Sequence, residues 1–156
     1  MTGVPARDAA LGRVVIWRMA MTVFALLGAL VALYLWLYHL GLSPLVCPIA
    51  GCEKVQKSEF SNLLGIPVAA IGLIAFSALF IASLAGVLID HLHPERAVFV
   101  TSSLGMLAYV WFTYLELFVI HAICFWCVVS SVMMLGVWVF SWLALRDLPH
   151  AASPAR

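Results

Sequence analysis

The sequence predicts an all-α membrane protein: a four-transmembrane-helix bundle with an outward loop and a short interfacial helix between the first two spans. Three observations carry that prediction. Of 156 residues, 65% are hydrophobic and 10% charged, and the mean hydropathy is +1.13; a soluble domain this size needs far more polar surface. Four apolar runs, 19–42, 66–89, 97–120 and 123–145, each hold 23 or 24 residues, against the ~20 needed to cross the hydrocarbon core. Those runs carry a single charged residue, Glu116.

Taken in order, the first twelve residues are small and polar-leaning and are expected to form a disordered tail. Helix 1 (19–42) is too long for a cleaved signal, whose apolar region spans about 7–15 residues. The link 43–65 holds Pro48 and Gly51, which favour a turn. Ser58 is placed to cap a short helix through Phe60, Leu63 and Leu64, lying at the interface over the bundle mouth. Gly65 and Pro67 then stop that helix and start helix 2 (66–89), since proline is tolerated in a first turn. A polar turn at 90–96 leads to helix 3 (97–120), and a tight turn leads to helix 4 (123–145). The stretch 149–156 reads as a second tail. No internal repeat interrupts this single domain, 1–156.

Orientation follows from the basic residues. Arg7, Arg13, Arg18, Arg96, Arg146 and Arg156 fall on one side, and Lys54 and Lys57 on the other. The positive-inside rule places both termini in the cytoplasm and the long link outside. A net charge of +1 with no basic cluster argues against a nucleic-acid partner.

All four cysteines then face the oxidising side, where disulfides persist. Pro48 and Gly51 bring Cys47 and Cys52 towards disulfide range. Cys124-Phe125-Trp126-Cys127 opens helix 4, so free backbone N–H groups at the positive end of the dipole favour a thiolate. Cys127 sits about one turn deeper, facing the bundle. Two dithiol pairs on one face suggest an electron path, one pair to meet a partner and one to pass electrons on. Structural thiols or disulfides and a zinc clasp are the non-catalytic alternatives. Haem c attachment is excluded, because Val128 follows Cys127 where histidine is required. Glu116 lies within helix 3, about 6 Å below its end, and an ionisable group in a span is a functional candidate. It shares a face with Tyr109, Phe112 and Ile120; it either relays protons to a redox group, or snorkels outward or hydrogen-bonds Tyr or Thr neighbours. His39 and His121 offer a haem-ligand pair or are plain interface residues. Lys54 and Lys57 either favour a thiolate at Cys52 or keep the loop wet.

The combined pattern is more specific than any one motif: C-x-x-x-x-C in an outer loop, a serine six residues after the second cysteine, Gly-Ile-Pro, then C-F-W-C at helix 4. It resembles the vitamin K epoxide reductase family, specifically its bacterial members, over nearly the whole chain. The resemblance implies a bundle enclosing a quinone (ubiquinone or menaquinone). In it Cys124 and Cys127 form the disulfide beside the quinone, Cys127 hands electrons on, and Cys47 and Cys52 are the shuttle pair. Ser58 matches the loop serine near the quinone head group, and Phe60, Phe112, Glu116 and Ile120 match lining positions. The implied activity is that of a thiol:quinone oxidoreductase in a bacterial inner membrane. It reoxidises a thioredoxin-fold disulfide oxidase of the periplasm, expected as a separate protein because this chain stops at Arg156. No metal is expected. One departure stands out: where the vertebrate enzymes carry a tyrosine four residues after the second C-x-x-C cysteine, this chain has Ser131. That favours a plain quinone over vitamin K epoxide, whose reduction in its own right is the alternative.

Overall fold

The computed structural model describes residues 3–48, 51–63, 65–89 and 92–152. Among the described residues, four helices are long and apolar enough to cross a membrane. They are α1 (Gly3–His39), α3 (Val68–Leu88), α4 (Glu95–Tyr114, continued by a π-helical turn at Leu115–Ile120) and α5 (Phe125–Ala152). The short helix α2 (Cys52–Gln56), a 3₁₀ turn (Glu59–Ser61) and the two-residue strands β1 (Asn62–Leu63) and β2 (Ile66–Pro67) fill the link between α1 and α3.

α1 is the hub: it packs against both α3 and α5, and α4 packs chiefly against α5. The core joins Met21, Ala25 and Ala32 of α1 to Phe76 and Leu79 of α3, Val98 of α4, and Met134, Val137 and Ala144 of α5. Two glycines set how closely the helices approach. A Cβ on Gly28 would overlap the Phe76 ring, and one on Gly136 would overlap Phe24. Small residues at such crossings let dispersion contacts replace the hydrophobic drive that lipid removes. Ser83, Ser102 and Ser141 are buried and donate to carbonyls of their own helices. The outer faces carry Ile74, Leu104 and Leu107, all strongly exposed. Such faces suit lipid better than water.

Residues 3–12, expected as a disordered tail, are the first turns of α1 instead. Ala10 and Val14 are buried. Asp147 of α5 accepts from Arg13 Nε and Trp17 Nε1, both at 3.1 Å, so the ends of α1 and α5 steady each other. Residues 149–152, expected in a second tail, belong to α5, which runs to Ala152; residues 153–156 lie outside those described.

The α3–α4 link is closed by Arg18. Its guanidinium donates to Glu95 (2.6 Å), Gly86 O (2.5 Å) and Leu92 O (3.1 Å), and touches His93 Nδ1 at 3.2 Å. Arg18 and Glu95 are both buried. The residue counted as a cytoplasmic charge is thus half of an internal ion pair, and Glu95 and Arg96, expected in the turn, already belong to α4.

The short helix between the first two spans sits earlier than expected. Ser58 Oγ does not cap a following helix; it donates back to Val55 O at 2.7 Å, closing the end of α2. After the 3₁₀ turn, Leu63 pairs with Ile66 and Asn62 with Pro67 in an antiparallel hairpin. Gly65 turns it with φ +84°, a conformation glycine adopts without steric cost. Leu64 lies outside the described residues.

Candidate active site

The cysteines come together at one end of the bundle. Cys47 and Cys52 form a disulfide with Cα atoms 6.2 Å apart, and Cys124 and Cys127 are free thiols. Cys52, Val55 and Cys124 make a small buried cluster, against which Leu45, Cys47, Ile120 and Cys127 pack. Cys52 opens α2 and Cys124 immediately precedes α5, so each pair has one buried member at a helix start.

Cys124 is the N-cap of α5. Its carbonyl accepts Val128 N–H at 3.1 Å, and its Sγ accepts Cys127 N–H at 3.4 Å. That is the position where a side-chain acceptor satisfies an orphan helix donor. The Cys124 thiol is lowered from its ordinary value, chiefly by the hydrogen bond from Cys127, with help from the Cys127 and Trp126 backbone N–H groups. Burial and the negative charge of Glu116 act the other way without cancelling this.

Glu116 reaches the same spot from α4. The helix widens into its π turn at Leu115–Ile120, and Ala122 N–H donates to Glu116 O at 3.0 Å. His121 ends the turn with φ 52°, held by Nδ1 against Leu117 O at 2.9 Å. Such wide turns recur where a side chain must be re-aimed. Here the turn buries the carboxylate, whose Oε2 accepts Cys124 N–H at 3.1 Å. Of the expectations for Glu116, snorkelling outward does not occur.

Beneath the thiols lies a cavity of about 250 Å³, predominantly apolar. Cys127, Ser58, Phe60, Phe112, Glu116 and Ile120 all line it. Tyr109, Ser130, Leu35 and Val55 also line it. Ser130 and Val55 were not singled out from sequence. The Ser58 proton is committed to Val55, so its hydroxyl offers the cavity an acceptor. On the outer side, Tyr38, Leu45, Cys47, Gly51, Cys52, Glu53, Lys54 and Lys57 border an open groove of about 680 Å³. Lys57 pairs with Glu53 at 2.5 Å on the exposed face of α2. This lowers the Glu53 carboxyl and raises the Lys57 amine, and occupies the Lys57 charge away from Cys52.

Two of the four cysteines are joined to each other, and among the described residues no group of three or more His, Cys, Asp or Glu is disposed to hold a metal. The model of the vitamin K epoxide reductase family matches residues 19–142. The chain belongs to the vitamin K epoxide reductase family. Among curated proteins, none matches it. Vitamin K epoxide reductase family members are membrane oxidoreductases that act on disulfides and quinones, and the arrangement of two cysteine pairs over an apolar cavity is chemically suited to that work. The cavity fits a quinone head group in kind: a mostly apolar wall with a thiol, a carboxyl and hydroxyls at one side.

Proposed function

We propose that this protein is a thiol:quinone oxidoreductase of a bacterial inner membrane. It takes electrons from a separate, reduced thioredoxin-fold oxidase of the periplasm and delivers them to ubiquinone or menaquinone, sustaining disulfide formation. Its membrane domain occupies 1–156, with both termini cytoplasmic and the cysteines on the outer face. One observation carries the reading: sulfur follows sulfur from an open groove, through a buried cluster, to a cavity.

The exposures of the cysteines support an order. Cys47 is half-buried beside the groove, and Cys52 is fully buried beside Cys124. A partner thiolate attacks Cys47, and Cys52 leaves as thiolate; the partner's second thiol closes the partner disulfide and releases Cys47. Cys52 then attacks Cys124 of an oxidised Cys124–Cys127 pair, and Cys127 leaves. Cys47 attacks Cys52, restores the loop disulfide and releases Cys124. Each exchange moves two electrons inward through a mixed disulfide. A lowered Cys124 thiol makes it a good leaving group in the last displacement. The state with Cys47–Cys52 joined and Cys124 and Cys127 free corresponds to the moment after that step. A quinone supplies the final acceptor for two electrons and two protons. Glu116, which lines the cavity together with Cys127, is positioned to hold a proton there.

Ser131 bears on the vitamin K epoxide alternative. Its hydroxyl donates to Val128 O at 2.8 Å and borders a separate groove with Met106 and Leu135. It therefore offers no cavity hydroxyl in place of the vertebrate tyrosine. The test is quinone reduction by purified protein in detergent, fed by a reduced thioredoxin-fold oxidase and followed by quinone absorbance. Turnover that is lost in both Cys47→Ala and Cys127→Ala supports the relay. Wild-type rates in Cys127→Ala sink it. A Cys47–Cys52 bond that resists mild reductant, with no turnover on either quinone, favours a structural disulfide.

A further inference from the structure

The residue before each loop cysteine touches the C-x-x-C segment. Val46, before Cys47, accepts a hydrogen bond on its carbonyl from Trp126 Nε1 at 2.9 Å. Its N–H donates to Tyr34 Oη at 2.8 Å, and the Tyr34 hydroxyl in turn donates to Pro44 O at 3.1 Å. Tyr34 and Trp126 meet edge to face, 5.2 Å between centroids. Gly51, before Cys52, lies against the Ile123 carbonyl so closely that a Cβ would overlap it. The Val46 peptide is thus spanned by one side chain from α1 and one from α5, and the α5 residue stands between the two thiols of the second pair.

We infer that Trp126 and Tyr34 are positioning residues that fasten the Val46 peptide and so seat the Cys47–Cys52 loop over Cys124. This rests on the relay proposed above. The clasp bears on one of the two exchanges. Internal transfer, in which Cys52 attacks Cys124 and Cys47 re-forms the loop disulfide, needs the loop seated. Attack on Cys47 by an outside thiol comes through the open groove bordered by Tyr38, Leu45 and Lys54, which neither Tyr34 nor Trp126 lines. A group that only stabilised the fold would move both steps in one direction.

The test uses the full-length, fully oxidised protein in detergent, with limiting dithiothreitol as the outside dithiol. Samples are acid-quenched and alkylated, and mass spectrometry scores each cysteine pair over time; a Cys47→Ala/Cys52→Ala variant corrects for direct reduction of Cys124–Cys127. Trp126→Phe and Tyr34→Phe are each expected to slow transfer to Cys124–Cys127 by about fivefold, the equivalent of one neutral hydrogen bond, while loop reduction by dithiothreitol keeps its rate. Gly51→Ala, which pushes the loop from Ile123 without touching the clasp, is expected to give the same split. Rates that fall together, or that do not move, overturn the inference while leaving the relay standing. No passage of electrons from loop to C-x-x-C in the wild type removes the relay, and the inference with it.

Discussion

Glu116 does two things that one substitution confounds and two separate. Its carboxylate accepts Cys124 N–H at 3.1 Å in a buried site, and its charge opposes a thiolate on Cys124. Glu116→Ala removes the acceptor and the charge, and leaves an N–H at the start of α5 without its partner. A buried bond to a charged acceptor contributes about 1.5–3 kcal/mol, and a neutral one about 0.5–1.5 kcal/mol. Glu116→Ala is therefore expected to destabilise by about 1.5–3 kcal/mol, and Glu116→Gln, which keeps a carbonyl acceptor, by about 1 kcal/mol. Both variants remove an anion beside Cys124. An anion raises a thiol's pKa, so its loss moves the Cys124 alkylation profile to lower pH and speeds alkylation at neutral pH. Stability is read by thermal unfolding in detergent, and reactivity by iodoacetamide labelling across pH with Cys47 and Cys52 replaced by alanine. Quinone turnover should slow in Glu116→Gln even though its thiol is more reactive, because the group that lines the cavity with Cys127 no longer takes a proton. Equal stability loss in the two variants would refute the hydrogen-bond reasoning. An unmoved alkylation profile would refute the electrostatic part.

Two further outcomes test the frame that holds the site. Glu95→Ala strands the Arg18 guanidinium in the interior and should cost about 3–5 kcal/mol, whereas Arg18→Met with Glu95→Met should cost much less; a double-mutant cycle of thermal unfolding checks the difference. Gly28→Ala drives a methyl into the Phe76 ring and should cost about 1–3 kcal/mol by overpacking, with recovery when Phe76→Leu makes room.

The four spans were legible because lipid imposes long apolar runs, and the cysteines were legible because their spacing places them at span ends. Hydropathy could not say where α1 begins. Arg18 ends the apolar run but not the helix, whose earlier turns are held where Asp147, far along the chain, binds Arg13 and Trp17. The stretch after Ser58 reads as a capped helix, yet the serine proton goes backward to Val55 and a glycine turn makes a hairpin. The sense in which Glu116 shares a face with Phe112 and Ile120 came from helical periodicity, and all three do line the cavity. The π turn that achieves this leaves no mark in the sequence, since one wide turn changes the phase of only a few residues. The Trp126–Val46 bond joins residues 80 apart, beyond any local pattern.

Arg18 and Glu95 also set an order of events. Their separation of 77 residues means that, as the chain is made, the cation appears before the helix bearing its counter-charge. While α1 is inserting, Arg18 is an unpaired charge, and unpaired charges are what orientation responds to. Once α4 arrives, the same guanidinium becomes a neutral rivet between α1 and the α3–α4 link. One side chain therefore acts twice, first on how the chain enters the bilayer and later on how tightly its helices hold. Glu95→Gln is the substitution that separates those two acts: the chain should insert as before and then come apart more readily.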